Sequence, residues 1–269
     1  MKKIRVNWKK TIIVALDVVL AAYLVLAFTA FNKPDETSQI CSKVSIQIED
    51  EADNGFITTS EIKNRLLNSS LYPINKPLTS ISARSIEETL MRTPFVKTAE
   101  CYKTQDGQVN ISISQRVPVV RIKSETGADY YLDDNDCIMP NSHYTSDLII
   151  ATGNISTAFA TRYVSPMSRV IMKDAFWKNQ IEQINVRPDH GIELVPRVGN
   201  HIIYIGQLPQ HNDKEKRQKL IEDFVGNKLK RLDQFYKYGL SQAGWNKYAV
   251  INLEYDNQII CKKHPKDKK

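Results

Sequence analysis

The longest apolar run lies near the start of the chain. Thr11–Phe31 reads TIIVALDVVLAAYLVLAFTAF, 21 residues with one charge. As a helix rising 1.5 Å per residue it spans about 31 Å, close to the bilayer core of about 30 Å. It is apolar all round, whereas a helix buried in a globular domain carries a polar stripe. A cleaved signal peptide has a shorter apolar core, about 7–15 residues, and a small-x-small exit. Here Phe28-Thr29-Ala30 puts a bulky ring at the −3 position. The run predicts an uncleaved transmembrane anchor over 11–31. Residues 32–43 are polar and aperiodic and read as a stalk.

Beyond the stalk the pattern changes period several times. Val44–Ile48 alternates apolar and polar residues, which predicts a half-buried strand. Thr58 and Glu61 fit a capping box, and Ile62, Leu66 and Leu67 follow as a helical face. Pro73 and Pro77 mark 71–80 as a loop. A second helix is expected over 82–92, with Ile86 and Leu90 one turn apart and Pro94 as its stop. Residues 95–102 read as extended, Asp106-Gly107 as a hairpin turn, and Val109–Ile113 alternates again. The order over 44–115 is strand, helix, helix, strand, strand. Pro118 removes a ladder donor, which suits a strand edge or a junction between sheets, so a boundary is placed there.

The part from 116 to 262 reads as β-rich. Strands are expected at 129–132, 137–139, 148–151, 181–186, 192–195 and 202–205, with a helix near 169–178. The longest helical pattern is 213–240, where Ile221, Val225, Leu229, Leu232 and Tyr236 share a face and Gly226 interrupts at a cost of about 1 kcal/mol relative to Ala. Residues 248–253, an Asp256-Asn257 turn and 258–261 close the pattern.

Charge changes this picture mainly by where it sits. The formal net charge is +7. Lys2, Lys3, Arg5, Lys9 and Lys10 make the first ten residues a basic tail, and five lysines against Asp267 make 262–269 another. The body between anchor and tail is near neutral. A nucleic-acid-binding domain carries its basic excess on the fold itself, so no nucleic-acid partner is expected. The basic residues before the anchor put 1–10 in the cytoplasm and the rest outside the membrane. Asp17 lies about a turn and a half into the run. Two readings stand: a carboxyl near the cytoplasmic face, helped by Lys9 and Lys10, or a polar contact to a partner's transmembrane helix.

Candidate catalytic chemistry is thin. Ser60-Glu61-Ile62-Lys63 matches S-x-x-K, but the companion S-D-N and K-T-G elements are missing, and the capping box accounts for the same residues. No P-loop, G-x-S-x-G or G-x-G-x-x-G occurs. None of the five histidines pairs at helical spacing for a metal. Asp133-Asp134-Asn135-Asp136 lacks the glycine and distal glutamate of a calcium loop and reads as a solvated hairpin turn. Cys41, Cys101, Cys137 and Cys261 form no C-x-x-C, and three full pairings would be possible. Cys101 and Cys137 fall in expected strands and read equally well as buried thiols. No catalytic, metal or cofactor residue, no cofactor and no small-molecule substrate is assigned.

The layout as a whole resembles the bacterial cell-division family FtsQ/DivIB. The module at 44–115 resembles a POTRA domain. Arg92–Ala99 is similar to the family's helix-to-strand passage, and Gln115-Arg116-Val117-Pro118-Val119-Val120 to the exit from that module. Tyr130–Asp136 resembles the family's Y-L-V-D-x-x-G hairpin, with Asp136 where glycine is commoner. Ile150–Gly153 resembles P-x-L-x-G without the proline. Ile203–Gly206 and the Lys228–Leu232 helix fit the same pattern, and Val250–Asp256 is similar to V-D-L-R-Y with Asn252 and Glu254 as substitutions.

The resemblance implies an α+β fold: a single transmembrane helix, a POTRA-like β-α-α-β-β module, then a mostly antiparallel β-domain (116–262) with a C-terminal helix on its sheet and a basic tail at 263–269. It implies a non-enzymatic divisome scaffold in the bacterial cytoplasmic membrane, concentrated at the division site, binding partners like FtsB and FtsL. The implied partner edge falls on Tyr255, Asn257, Gln258, Ile259 and Ile260. Two other classes share parts of this pattern. A POTRA-bearing secretion or outer-membrane assembly factor would repeat its POTRA units or end in a barrel. A membrane-tethered serine hydrolase would use Ser60 and Lys63.

Overall fold

The computed structural model describes residues 8–30, 39–49, 56–142 and 148–265. Asn54-Gly55, a pair that signals a turn in the sequence, and most of the stalk lie outside these. Helix α1 (Trp8–Ala30) coincides with the apolar run. Its apolar side chains are exposed, Leu16 and Val19 each by 68%. Among the described residues no helix is long and apolar enough to cross a membrane; the expected span ends at Phe31, which is not described.

The first sheet follows the expected order. Strand β1 (Lys43–Ile48), helices α2 (Thr59–Asn68) and α3 (Ala83–Met91), then β2 (Val96–Lys103) and β3 (Gln108–Gln115) form a three-stranded sheet ordered β1-β3-β2. β1 lies parallel to β3, and β2 antiparallel. The capping box is present: the Glu61 amide donates to Thr58 Oγ1 and the Thr58 amide to Glu61 Oε2, two otherwise orphaned donors satisfied reciprocally. Ile62 and Leu66 point inward and meet Ile86, Leu90, Val109, Ile111 and Ile113 in one core. Leu67, expected on that face, is 49% exposed.

The second sheet has nine strands: β4 (Pro118–Ser124), β5 (Asp129–Asp133), β6 (Ile138–Pro140), β7 (Ile150–Gly153), β8 (Ile181–Val186), β9 (Gly191–Pro196), β10 (Ile202–Gln207), β11 (Tyr248–Asn252) and β12 (Ile260–Lys263). Their order is β12-β11-β10-β9-β8-β7-β4-β5-β6. Most pairs are antiparallel; β4/β7, β7/β8 and β10/β11 are parallel. Helices cover one face: α4 (Thr157–Phe159), α5 (Ser165–Lys173), α6 (Ala175–Gln180), α7 (Lys214–Phe235) and the short α8 (Ser241–Ala243). Met167, Ile171, Trp177, Ile221, Val225 and Leu232 meet Ile122, Ile184, Leu194, Ile203 and Ile251 in the main core. Alternate strand residues such as Gln183, Asn185, Glu193 and Tyr204 face the other way and are half-buried, the period-2 pattern of a sheet covered on one side. Gly153 closes β7 at φ +100°, where a Cβ would lie 2.2 Å from the Val186 carbonyl oxygen, so no side chain fits there.

Two stretches differ from the expected pattern. The helix placed near 169–178 begins earlier, at Thr157, where Ser156 Oγ accepts the Phe159 amide. A π-helical turn over 160–164 runs directly into Ser165-Pro166. Proline lacks an amide donor and its ring crowds the carbonyl four residues back, so the wider turn lets the helix continue past it. Asp174 then breaks the run and caps α6 by accepting the Phe176 and Trp177 amides.

The Asp133–Asp136 turn forms, but it is not the solvated hairpin expected. Asp133 is fully buried. Its Oδ1 accepts the Asn135 and Cys137 amides, and its Oδ2 lies 2.8 Å from Arg116 Nη1. Asp136 sits at φ +65°, the conformation that glycine supplies at this position in the related motif. It is held by Arg169 at 2.6 Å, Ser165 Oγ at 2.8 Å and Lys214 at 3.3 Å. These partners come from α5 and α7, too far along the chain for a local reading to supply.

The same turn joins the two sheets. Arg116 sits between β3 and β4, donates its amide to the Phe95 carbonyl and pairs with Asp133. Phe56 stacks on Phe95 at 5.7 Å and meets Tyr131 edge-on at 5.6 Å, with Met139 beside them. Removing one partner from a buried ion pair costs roughly 3–5 kcal/mol, so Arg116 and Asp133 fix the angle between the sheets more than a free linker would.

Burial pushes the Asp136 carboxyl up, but the bonds from Arg169 and Ser165 outweigh it and hold its pKa below the usual value. The stability it contributes is present above the unfolded carboxylate value of about 3.9 and lost as pH falls through the lower folded value. Asp136→Asn is expected to lower the thermal midpoint at pH 7 and to show a shallower loss of stability below about pH 4 than the parent, measured by thermal unfolding across pH.

Candidate partner-binding edge

An open sheet has two ends, and here they differ. At one end β6 is three residues long and finishes in Pro140, both features that blunt an edge against pairing. At the other end β12 pairs antiparallel with β11, Asn252 opposite Ile260 and Ile251 opposite Cys261. Its outer side has no neighbouring strand among the described residues.

Residues expected at a partner edge gather here. Asp256 and Asn257 form the turn, and β12 starts at Ile260, not at Gln258 as the pattern suggested. Tyr255 is 51% and Ile260 47% exposed. Ile259 is half-buried and packs on the main core. Asn257 and Gln258 are exposed. Asp17, the other residue singled out, lies within α1 and is exposed.

The turn before β12 is held by a residue the sequence reading did not single out. Lys228 is 2% exposed. Its Nζ donates to the Leu253 and Glu254 carbonyls, both at 2.8 Å, and reaches Asp256 Oδ1 at 3.1 Å. The ammonium therefore has three acceptors for its three protons. Arg231, nearly one turn on, donates to the Gln258 carbonyl at 2.7 Å. Together they fix the chain from 253 to 258 on α7, so β12 leaves at a set position. Lys228 lies three residues after Val225 and four before Leu232, at the border of the apolar stripe. That placement was the available signal, and a lysine there ordinarily snorkels outward. Beside the turn a shallow depression of about 650 Å³ is lined by Arg231, Gln234, Phe235, Tyr238 and residues 256–259.

The Ser60–Lys63 pair does not assemble. Ser60 Oγ bonds Thr58 Oγ1 at 2.9 Å, while Lys63 Nζ lies 5.7 Å from the Tyr72 ring centre. Both side chains follow from a helix start. Cys41 and Cys101 are buried free thiols; Cys137 and Cys261 are partly buried and also free. Burial raises the Cys101 thiol to about 11, which disfavours the reactive thiolate.

Comparison with known families fits this geometry. A POTRA-like domain model matches residues 39–114. A model described as FtsQ/DivIB, C-terminal related, matches residues 117–262, more than half of the chain. The chain belongs to the FtsQ/DivIB family. Among curated proteins none matches it. FtsQ/DivIB proteins are membrane-anchored, non-enzymatic division scaffolds that work with other division proteins. The open nine-stranded sheet lies in the region that the FtsQ/DivIB C-terminal related model matches.

Lys228→Met keeps the length of the side chain but leaves the buried Leu253 carbonyl and the partly buried Glu254 carbonyl without this donor. At roughly 1–3 kcal/mol per unsatisfied group, it is expected to lower the unfolding free energy by about 3 kcal/mol. The turn at 253–258 should become the first site of proteolytic nicking. Urea titration and limited proteolysis with mass mapping measure both.

Proposed function

We propose that this protein is a single-pass scaffold of the bacterial divisome that holds an FtsB-like partner by β-augmentation at β12, with an FtsL-like protein in the same assembly. The outer edge of β12, unpaired among the described residues at the end of the large sheet opposite the proline-terminated β6, carries this reading. An added strand gains affinity from backbone hydrogen bonds and specificity from alternating side chains. Tyr255, Asn257, Gln258, Ile259 and Ile260 flank or form that edge. Lys262 and Lys263 are exposed on it; they discourage indiscriminate pairing and favour an acidic incoming strand.

The anchor is Thr11–Phe31. Its support is the length and all-round apolarity of the run, the exposed apolar side chains of α1, and the cations at 1–10. Residues 1–10 then stay in the cytoplasm and both sheets work outside the membrane. Asp17 rests near the cytoplasmic interface or meets a polar group on a neighbouring transmembrane helix.

Ile259→Pro removes an amide at the entry to β12 while keeping an apolar ring at this half-buried position on the margin of the core. Pull-down with the FtsB-like partner is expected to fall at least about tenfold, the loss of roughly one or two backbone hydrogen bonds, with an unchanged circular dichroism spectrum. Undiminished capture by the folded variant would refute the edge as the binding site.

A further inference from the structure

The helix layer carries a second surface that β12 does not use. Between α5–α6 and α7 lies an open trench of about 910 Å³, walled by Val170, Phe176, Trp177, Leu229, Tyr236 and Trp245. Single exposed apolar side chains need no explanation, but several lining one concavity do. Phe176 stays 50% and Trp245 40% exposed. Tyr236 is held in the wall by His201, whose Nε2 lies 2.8 Å from the phenol oxygen.

The shape is elongated. Glu222, Gly226, Leu229, Asp233 and Tyr236 line it at spacings of four, three, four and three, one continuous face of α7. The lining continues past the end of α7, over a π-helical turn at Tyr236–Leu240, to Ser241, and along α7 itself it runs for about 20 Å at 1.5 Å per residue.

Gly226 sharpens the point. A glycine inside a helix costs about 1 kcal/mol relative to alanine. A Cβ here would meet nothing within 4 Å, and no positive φ requires glycine. Nothing in this chain's own packing calls for it. Its effect is to leave a notch in the trench wall where another backbone can approach.

The charges of the lining select an occupant. Lys173 pairs with Glu222 at 3.0 Å and Lys237 with Asp233 at 2.8 Å. Asp174 is engaged as the cap of α6. Lys230 remains the lining charge without an ion pair among the described residues.

We infer that this trench is a second docking surface, filled by an amphipathic helix of a partner protein. That helix would carry apolar residues at i, i+3 or i+4, and i+7, and an acidic residue beside the stripe opposite Lys230. Helix-in-groove binding uses this geometry, and a trench lined along several turns of one helix suits a helix better than a compact ligand. Asn227, Lys228, Arg231, Gln234 and Tyr238 line the other side of α7, toward the strand edge, and Lys230 stands on the rim between the two sides.

The test places p-benzoyl-phenylalanine at position 176 or 245 of the full chain in its own cells, with irradiation and sequencing of the adducts. Both positions are expected to label one segment of one protein, at residues three, four or seven apart. Gly226→Leu should cut the adduct yield about tenfold, the equivalent of about 1.4 kcal/mol, without lowering the thermal midpoint of the free protein. Lys230→Glu should also reduce it, and Ile259→Pro should leave it unchanged, which separates this surface from the β12 reading. Adducts to lipid or to the chain itself, scattered labelling, no adducts, or full yield in the Gly226→Leu variant would each overturn the proposal.

Discussion

A buried ammonium ion governs the end of this molecule that matters most. Taking a lysine out of water costs several kcal/mol unless its protons find acceptors. Lys228 finds three, two of them backbone carbonyls just after β11. The contact works in both directions. The carbonyls make the burial tolerable, and the lysine fixes the path of the chain between β11 and β12. Because α7 is itself seated on the sheet through Ile221, Val225 and Leu232, the position of the terminal edge is tied to the main core. The strand proposed to receive another protein is thereby held without being sealed inside its own sheet.

A comparable arrangement sets the geometry between the two sheets. Asp133 is buried and accepts from two amides and from Arg116. Arg116 in turn is bonded to the end of the first module through the Phe95 carbonyl. With Phe56, Phe95, Tyr131 and Met139 packed alongside, the POTRA-like module and the large sheet meet through a specific contact. Both key polar contacts join segments far apart in sequence, and both are locally improbable: a lysine against an apolar stripe, and an aspartate with no solvent.

That is also where reading the sequence stopped. Alternation at 44–48 and 109–113, the Thr58–Glu61 box and the Asp106-Gly107 turn are local signals, and the structure has the elements they announce. The apolar face of α7 was legible for the same reason. What periodicity cannot convey is which distant group satisfies a polar side chain. The Asp133–Asp136 turn reads as solvated because the partners that bury it, Arg116 for Asp133 and residues of α5 and α7 for Asp136, lie outside the turn. The role of Lys228 was not legible in the sequence because its acceptors are mainly carbonyls, which leave no trace in residue identity. The early start of the helix at Thr157 was hidden by Pro166, which usually opens a helix and here sits just past a π-helical turn. The residues of the candidate edge were reached through family resemblance, and the blunt far end at Pro140 became meaningful only once the strand order was in hand.

The two faces of α7 suggest how one small domain could serve more than one partner. One side clamps the turn before β12, and the other forms the wall of an apolar trench. The central claim concerns the first of these, that the scaffold engages its partner through the backbone of its last strand. Hydrogen exchange on the full chain, with and without the FtsB-like partner, tests it most directly. The account predicts slowed exchange for the amides of 259–263 on binding and unchanged exchange at β6. Protection confined to other elements, with β12 exchanging as fast in the complex as alone, would contradict it.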